Sequence, residues 1–307
     1  MSLSIGISLF PGDDTTVQGL LSCADTAMYH AKDSGRGNRQ FYQPGMDVHA
    51  TDVLQQERQL REAIASNAFV LHYQPQICLA DGSLKGFEAL VRWRHPERGL
   101  LGPDKFITFS ESRGLITPIG RWVMHEACRQ LKAWQDEGLA MVPVAVNLSA
   151  LEFRQRDVAG ELAAVLHATG LEPRFLEIEL TESVLMHHTG QVLETLNAIK
   201  ALGVGVTIDD FGTGYSSLAY LKRYPIDKLK IDRSFVMDTP QSADDVAIVT
   251  AIIQMGHSLQ LKTVAEGVET VEQKELLHRL GCDLVQGFLV SAPMDAQATQ
   301  RWMSPQG

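Results

Sequence analysis

Side chains that can bind a cation or transfer a proton follow several apolar runs of this sequence. The clearest case is VGVTIDDFGTG at 204–214, where a β-branched run ends in Asp209 and Asp210. Adjacent carboxylates repel each other and resist burial, so a solvated turn or helix cap would explain the pair alone. Other runs end similarly, at Glu88, Arg92, Asn147, Glu179, Glu182, Lys230, Asp232, Glu266 and Gln286. This repetition favours one shared site.

The residue types in this set indicate a site for divalent cations. Carboxylates together with an amide carbonyl suit hard ions such as Mg²⁺ or Mn²⁺, whereas zinc prefers histidine and cysteine. Several carboxylates at one place repel each other unless cations are present. Because Asp209 and Asp210 can each face a different ion, we expect two ions rather than one.

Strand and helix patterns alternate from residue 69 onwards and predict how the site is built. The strands FVLHYQPQI and LKGFEALVRW are joined by a hairpin signal at 81–83. Apolar strands then alternate with helix patterns at 119–137, 157–169, 189–202, 243–259 and 270–280. About eight such strands predict an α/β fold of the (β/α)8 TIM type rather than an open sheet. In such a barrel the polar strand ends converge on one rim.

Composition excludes some classes of protein. With 307 residues, 45% of them hydrophobic, the chain is typical of a globular protein with a sizeable core. The formal net charge of −10 argues against a partner that is a nucleic-acid polymer, but not against a small anionic ligand. The four cysteines form no CxxC pair, which indicates reduced thiols and a cytoplasmic protein. No apolar run predicts a membrane segment.

The order of the motifs is more specific than any one of them. YQPQI and FEALVRW are followed by VNLS, ELTES, DDFGTGYSS, KLKID, AEGVE and QGF. Over about residues 50–300 the sequence resembles the EAL family of cyclic-di-GMP phosphodiesterases. SIGIS and ADTAMYHAKDSGRGNRQFY resemble the end of a GGDEF diguanylate cyclase domain whose signature is absent. We expect a truncated GGDEF piece at 1–43, a short α+β appendage without cyclase activity. A linker at 44–56, in which a helix begins, and a phosphodiesterase domain at 57–300 should follow.

The resemblance implies a fold, a reaction and a role for each candidate residue. The barrel would contain one antiparallel strand, and a homodimer would hydrolyse cyclic di-GMP to linear pGpG with Mg²⁺ or Mn²⁺. The implied metal ligands are Glu88, Asn147, Glu179, Asp209 and Asp210. The implied catalytic residues are Lys230, Glu266 and Glu88, and the implied substrate contacts are Gln74, Leu90, Arg92, Asp232 and Gln286. Glu182 would anchor the loop after Asp210, and Lys230 would either deprotonate the attacking water or stabilise charge.

Other functions remain open from the sequence alone. A degenerate relative would bind cyclic di-GMP without cleaving it, although every position of the motifs is intact here. An unrelated barrel enzyme could instead use Lys230 to form a Schiff base. The loop after Asp210 is either a switch coupled to a dimer contact or ordinary core, and the residues concerned are Tyr215, Leu218, Tyr220, Leu221 and Tyr224.

Overall fold

The computed structural model describes residues 3–33, 37–139, 141–185, 189–214 and 221–303. Backbone contacts divide the chain into two units. The first contains Met1–Ala68 and Asp104–Leu115, and the second contains Phe69–Pro103 and Ile116–Gly307. Among the described residues, no helix has both the length and the apolar character needed to cross a membrane.

The first unit combines two short strands with helices. Its elements are β1 (Ile5–Ile7), α1 (Val17–Asp33), β2 (Arg39–Phe41), α2 (Met46–Ala65) and α3 (Ile107–Ser112). The two strands pair in parallel, and α1 connects them. Gly6 approaches α1 so closely that a Cβ there would lie 2.0 Å from the carbonyl oxygen of Ala24. The helix can therefore cover this face of the strand only because residue 6 has no side chain.

In the part of the chain that the structure describes, the second unit contains ten strands, and eight of them form a closed barrel. Its strands are β3 (Phe69–Cys78), β4 (Leu84–His95), β5 (Gly99–Leu101), β6 (Val144–Leu148), β7 (Leu176–Thr181), β8 (Gly205–Phe211), β9 (Lys228–Ile231), β10 (Lys262–Ala265), β11 (Leu284–Val285) and β12 (Met294–Asp295). The barrel order is β3-β11-β10-β9-β8-β7-β6-β4, closed by pairing of β3 with β4. Strand β3 is antiparallel to both barrel neighbours, and the other barrel pairs are parallel. The prediction of a TIM-type barrel with one antiparallel strand is confirmed.

Helices alternate with the parallel strands, as the periodicity predicts. The helices of this unit are α4 (Ile116–Asp136), α5 (Ala150–Gln155), α6 (Val158–Thr169), α7 (Glu182–Leu185), α8 (Thr189–Ala201), α9 (Arg233–Met237), α10 (Ala243–Ser258), α11 (Val271–Leu280) and α12 (Ala296–Met303). The five long predicted helices correspond to α4, α6, α8, α10 and α11, with ends shifted by at most three residues. The short α5, α7 and α9 were not predicted, because one turn or so carries too little periodicity.

The two faces of the barrel strands differ in chemistry. On β7, Ile178 is fully buried on the outer face, which packs toward the helices. Glu177 and Glu179 alternate with it and point into the barrel, where they contact Lys228 and Lys230. The hydrophobic core therefore lies between strands and helices, and the barrel interior is free to carry charged groups.

Candidate active site

The ends of the barrel strands meet around one buried ammonium group. Lys230 on β9 has no exposed surface. Its Nζ lies beside four carboxylates, which are Glu266 Oε1 at 2.5 Å, Glu179 Oε2 at 2.8 Å, Glu88 Oε2 at 3.1 Å and Asp209 Oδ2 at 3.2 Å. Carboxylates from four different parts of the sequence thus lie within hydrogen-bond distance of one nitrogen atom.

The register of the strands sets the positions of the first residues of this group. Glu88 of β4 pairs with Ala145 of β6, and Asn147 of β6 pairs with Glu179 of β7. Asn147 lies two residues after Ala145 on β6. Its side chain therefore points to the same inner face, because side chains alternate along a strand. Asn147 Nδ2 donates to Glu88 Oε1 at 2.7 Å. The asparagine therefore lies directly beside the acidic cluster.

A bulge in β8 gives the two adjacent aspartates different surroundings. The β8–β9 register shifts between Ile208 and Phe211, and Asp210 has a positive φ of 53°. This backbone conformation is uncommon for a residue with a side chain and is concentrated at functional sites. The N–H of Asp210 donates to Asp209 Oδ1 at 2.9 Å. Burial and the carboxylates of Asp209 and Asp232 raise the pKa of Asp210 to about 6.

The cluster holds more carboxylates than one lysine neutralises. Burial, with the nearby charges of Glu88 and Asp209, raises the pKa of Glu179 well above its usual value. Burial also raises the pKa of Glu266 to about 8, against the opposing effect of Lys230. Burial alone would lower the pKa of Lys230, but the surrounding carboxylates raise it well above its usual value. The site therefore has an electrostatic demand for additional positive charge.

Three of the carboxylates fit a metal site. Oxygen atoms of Glu88, Glu179 and Asp209 lie within 4.8 Å of one another, and all three residues are buried. Glu179 Oε1 is buried and has no hydrogen-bond partner in the part of the chain that the structure describes. A buried carboxylate oxygen left unpaired is costly, and a bound cation would satisfy it. An all-oxygen donor set matches hard divalent ions.

The two glutamines predicted to contact substrate lie next to Glu88. Gln286 Nε2 donates to Glu88 Oε2 at 2.6 Å and to Gln74 Oε1 at 3.1 Å. Gln74 Nε2 donates to the carbonyl oxygen of Ser291 at 3.1 Å. Gln286 and Gln74 are only 4% and 8% exposed. Their amide groups are thus engaged with the protein itself.

The other predicted substrate contacts lie on the same strands as the cluster. Leu90 and Arg92 follow Glu88 at two-residue intervals on β4, so the three side chains share one face of the strand. Asp232 directly follows β9, and its carboxylate accepts the N–H of Ser234 at 3.0 Å as the N-cap of α9. A local capping bond therefore fixes the orientation of Asp232.

Glu182 contacts the backbone of the loop after Asp210, where the sequence predicted an anchor. It is 2% exposed, and its Oε2 accepts the N–H groups of Gly212 at 3.0 Å and Gly214 at 3.4 Å. Tyr215, Leu218 and Tyr220 lie outside the described residues. Leu221 and Tyr224 are 2% and 6% exposed. Ordinary packing therefore accounts for these last two residues.

The sequence analysis missed buried polar residues inside the barrel, among them Gln76, Glu177 and Lys228. Gln76 is 1% exposed and donates from Nε2 to Gln286 Oε1 at 2.9 Å. Lys228 Nζ donates to Glu177 Oε2 at 2.7 Å, one step of the strand repeat away from Lys230. The two-residue alternation of the strands was the available signal, since each residue lies two positions from a predicted site residue.

A closed α/β barrel with a buried acidic cluster at the ends of its parallel strands defines an enzyme of the TIM-barrel class. Residues 57–293 match the EAL domain family, and the chain belongs to this family.

Named relatives and a solved structure agree with this membership. The bifunctional diguanylate cyclase/cyclic di-GMP phosphodiesterase MucR of Pseudomonas aeruginosa is 48% identical over 297 residues, which are 97% of this chain and 43% of the relative. The cyclic di-GMP phosphodiesterase NbdA of the same organism is 46% identical over 303 residues, 99% of this chain and 39% of the relative. The chain thus spans about two fifths of the length of these relatives. A solved PaMucR phosphodiesterase in complex with c-di-GMP has 48% identity and a TM-score of 0.77, covering 80% of this chain and 99% of that chain.

Proposed function

We propose that the barrel hydrolyses one phosphodiester bond of cyclic di-GMP and releases linear pGpG. The observation that carries this proposal is the buried cluster of Glu88, Glu179 and Asp209 around Lys230. The similar proteins support the choice of substrate, because two carry this activity in their names and a third is a complex with c-di-GMP.

The oxygen ligands assign the metal-binding roles within this proposal. Glu88, Asn147, Glu179 and Asp209 would hold a first divalent ion, and Asp210 would join at a second. Mg²⁺ or Mn²⁺ is expected because every donor atom is an oxygen. Such ions, when bound, supply charge neutralisation for the phosphoryl oxygens and activation of water.

Lys230 would act as a fixed cation at the centre of the site. Its contacts with four carboxylates hold the ammonium group in place, and they orient those carboxylates toward one point. A preorganised positive charge of this kind stabilises the negative charge that develops on a reacting phosphoryl group. Glu266, which makes the shortest of the four contacts, would keep Lys230 oriented. An ammonium group engaged in this way is poorly suited to Schiff-base chemistry, which disfavours the aldolase alternative.

The remaining predicted residues would bind the substrate. The guanidinium of Arg92 suits a phosphate oxygen, because its planar donors can form paired hydrogen bonds. Leu90 and Asp232 would contact the nucleotide beside it. Gln74 and Gln286 would contact guanine or ribose, and Gln286 would also hold Glu88. In this assignment Arg92 is the cationic contact for the phosphate.

The organisation around the barrel belongs to the same proposal. Residues 1–43 would be the C-terminal part of a GGDEF domain, 44–56 a linker in which a helix begins, and 57–300 the phosphodiesterase domain. The EAL match begins at residue 57, which supports the proposed start of the phosphodiesterase domain. The chain would act as a cytoplasmic homodimer, and its net charge of −10 supports a small ligand over a nucleic-acid polymer.

Product analysis with two matched variants tests the function. Glu179 and Glu177 are both buried glutamates of β7 that face the barrel interior. With cyclic di-GMP and Mn²⁺, Glu179→Gln should lower kcat by about 100-fold or more, the usual cost of removing a group that stabilises charge in a transition state. Glu177→Gln removes the partner of buried Lys228 and should lower stability, but the folded variant should keep kcat within about threefold of the parent, because Glu177 contacts Lys228 and not the cluster. Equal rates for the parent and Glu179→Gln would overturn the site assignment.

The receptor alternative gives a different result in the same experiment. A receptor would bind cyclic di-GMP tightly and yield no linear product at any concentration of Mn²⁺. EDTA-sensitive formation of pGpG by the parent would exclude it.

A further inference from the structure

Three glutamine side chains form a hydrogen-bonded chain that ends on Glu88. Gln76 Nε2 donates to Gln286 Oε1 at 2.9 Å, and Gln286 Nε2 donates to Glu88 Oε2 at 2.6 Å. Gln286 also donates to Gln74 Oε1 at 3.1 Å. Gln76 is 1% exposed and Gln286 is 4% exposed, so solvent does not compete for these bonds. This series of hydrogen bonds therefore connects the barrel interior to a proposed metal ligand.

The charge of Glu88 gives this chain a direction. A carboxylate only accepts hydrogen bonds, so Gln286 must present its NH₂ group to Glu88 and its carbonyl oxygen away from it. An amide can rotate by half a turn at almost no steric cost, and only its neighbours choose the orientation. Gln76 supplies a donor to Gln286 Oε1 and so selects the orientation that Glu88 requires.

Local geometry commits Gln76 to this single bond. Gln76 pairs with Gly86 across β3 and β4, and a Cβ at residue 86 would lie 3.4 Å from Gln76 Oε1. That oxygen is buried and has no hydrogen-bond partner among the residues described. A buried oxygen without a partner costs free energy, so the hydrogen bond that the amide does make offsets only part of the cost of burying Gln76. The bond to Gln286 is that remaining contact.

The carboxylate of Glu88 is held by donors on both of its oxygens. Asn147 Nδ2 lies 2.7 Å from Oε1, whereas Gln286 Nε2 and Lys230 Nζ lie 2.6 Å and 3.1 Å from Oε2. Both oxygens of this carboxylate thus have fixed donors, which restrict the directions in which it can bind an ion. Partners that orient a metal ligand commonly change ion affinity by about 10- to 100-fold when removed.

We propose that Gln76 is a positioning residue, which acts through Gln286 to orient Glu88 for binding of a divalent ion. The inference rests on the proposed metal-dependent function, but ion binding alone can test it. Among the described residues, the side-chain hydrogen bond of Gln76 goes to Gln286 and not to a predicted metal ligand or to Arg92. Its influence must therefore pass through the amide of Gln286.

Calorimetric titration of EDTA-stripped protein with Mn²⁺ alone tests this route. Gln76→Met keeps the length of the side chain but removes the donor, and it should raise the dissociation constant for Mn²⁺ by about 10-fold or more. Gln76→Leu is a second donor-free variant for use if the methionine variant fails to fold. Gln286→Ala should weaken Mn²⁺ binding similarly. Adding Gln76→Met to Gln286→Ala should cause no further loss, since coupled residues are not additive.

A buried glutamine elsewhere provides the control for stability. Gln273 is 4% exposed, and its Nε2 donates to the backbone carbonyls of Val236 and Met237. Gln273→Met should lower the unfolding temperature while leaving the Mn²⁺ dissociation constant within about twofold. A folded Gln76→Met variant with parental Mn²⁺ affinity, or losses that add in the double variant, would overturn the proposal.

The outcome is separable from the test of the function. If the parent forms no pGpG but Gln76→Met still weakens Mn²⁺ binding through Gln286, the proposed function fails and the positioning role stands. If the parent forms pGpG and the affinity for Mn²⁺ does not change, the positioning role alone is wrong.

Discussion

Replacing Lys230 by methionine should destabilise the ion-free protein and make its stability depend on divalent cations. Methionine has a similar length but no charge, so the substitution leaves four carboxylates at the centre of the barrel without their shared cation. Removing one partner of a buried ion pair typically costs about 3–5 kcal/mol. For a chain of 307 residues, this cost corresponds to a fall of roughly 5–8 °C in the unfolding temperature.

The pH dependence follows from the raised pKa values of the same carboxylates. In EDTA, the pKa of Glu179 is raised, mainly by burial, and that of Glu266 is raised to about 8. When the pKa of a carboxyl group is higher in the folded than in the unfolded protein, the folded protein loses stability as pH rises. The loss runs from the unfolded pKa, about 4.5, through the folded pKa. Lys230 lowers the pKa values of both carboxyl groups, so its removal should raise them further. The penalty of Lys230→Met should therefore be larger at pH 8 than at pH 5.5.

Thermal unfolding with and without Mn²⁺ provides the assay. Added Mn²⁺ should restore more stability to Lys230→Met than to the parent, because the ion replaces the missing positive charge. Lys262→Met on β10 is the control, since this lysine is exposed and should shift stability by less than about 0.5 kcal/mol. Parental stability of Lys230→Met in EDTA at pH 8, or a penalty that grows as pH falls, would refute the reasoning.

Three further predictions concern residues outside the central cluster. Glu182→Ala should increase proteolysis at 212–214, because the N–H groups of Gly212 and Gly214 lose their acceptor. Arg92→Ala should raise KM for cyclic di-GMP by about 10-fold with a smaller change in kcat, as expected for a phosphate contact. Arg156→Met should lower stability to urea at pH 7 but not near pH 2, because the Arg156 hydrogen bond lowers the pKa of Glu161 to about 2.

The lowered pKa of Glu161 determines how the effect of Arg156→Met on stability changes with pH. The folded pKa of Glu161 lies below its unfolded value, so its contribution to stability is present above about pH 4.5 and is lost as pH falls toward 2. A difference between Arg156→Met and the parent that stays constant from pH 7 to pH 2 would contradict this assignment.

The barrel and the rim of polar residues could be predicted because both follow from regular repeats. Alternating strand and helix patterns are typical of parallel barrels, and the ends of such strands share one rim. Glu88, Glu179 and Asp209 therefore converge as their positions along the strands predict. The sequence also placed Glu182 near the loop that it contacts, since both follow neighbouring strands.

The finer features depend on tertiary contacts that no local pattern encodes. The positive φ of Asp210 accompanies a bulge in β8 against the neighbouring strand β9. The glutamine chain joins β3 to the residue after β11, over 210 positions of separation between Gln76 and Gln286. A glutamine in an apolar strand is as compatible with an exposed edge as with a buried network. Only the packed barrel decides between them.

Hydrolysis in ¹⁸O-labelled water tests the central claim most directly. The purified chain is incubated with cyclic di-GMP and Mg²⁺ or Mn²⁺, and the product is examined by mass spectrometry. Attack by water on phosphorus predicts linear pGpG with one ¹⁸O atom in its terminal phosphate, and EDTA should abolish this product. Bound but uncleaved cyclic di-GMP, or a linear product without the label, would contradict the account.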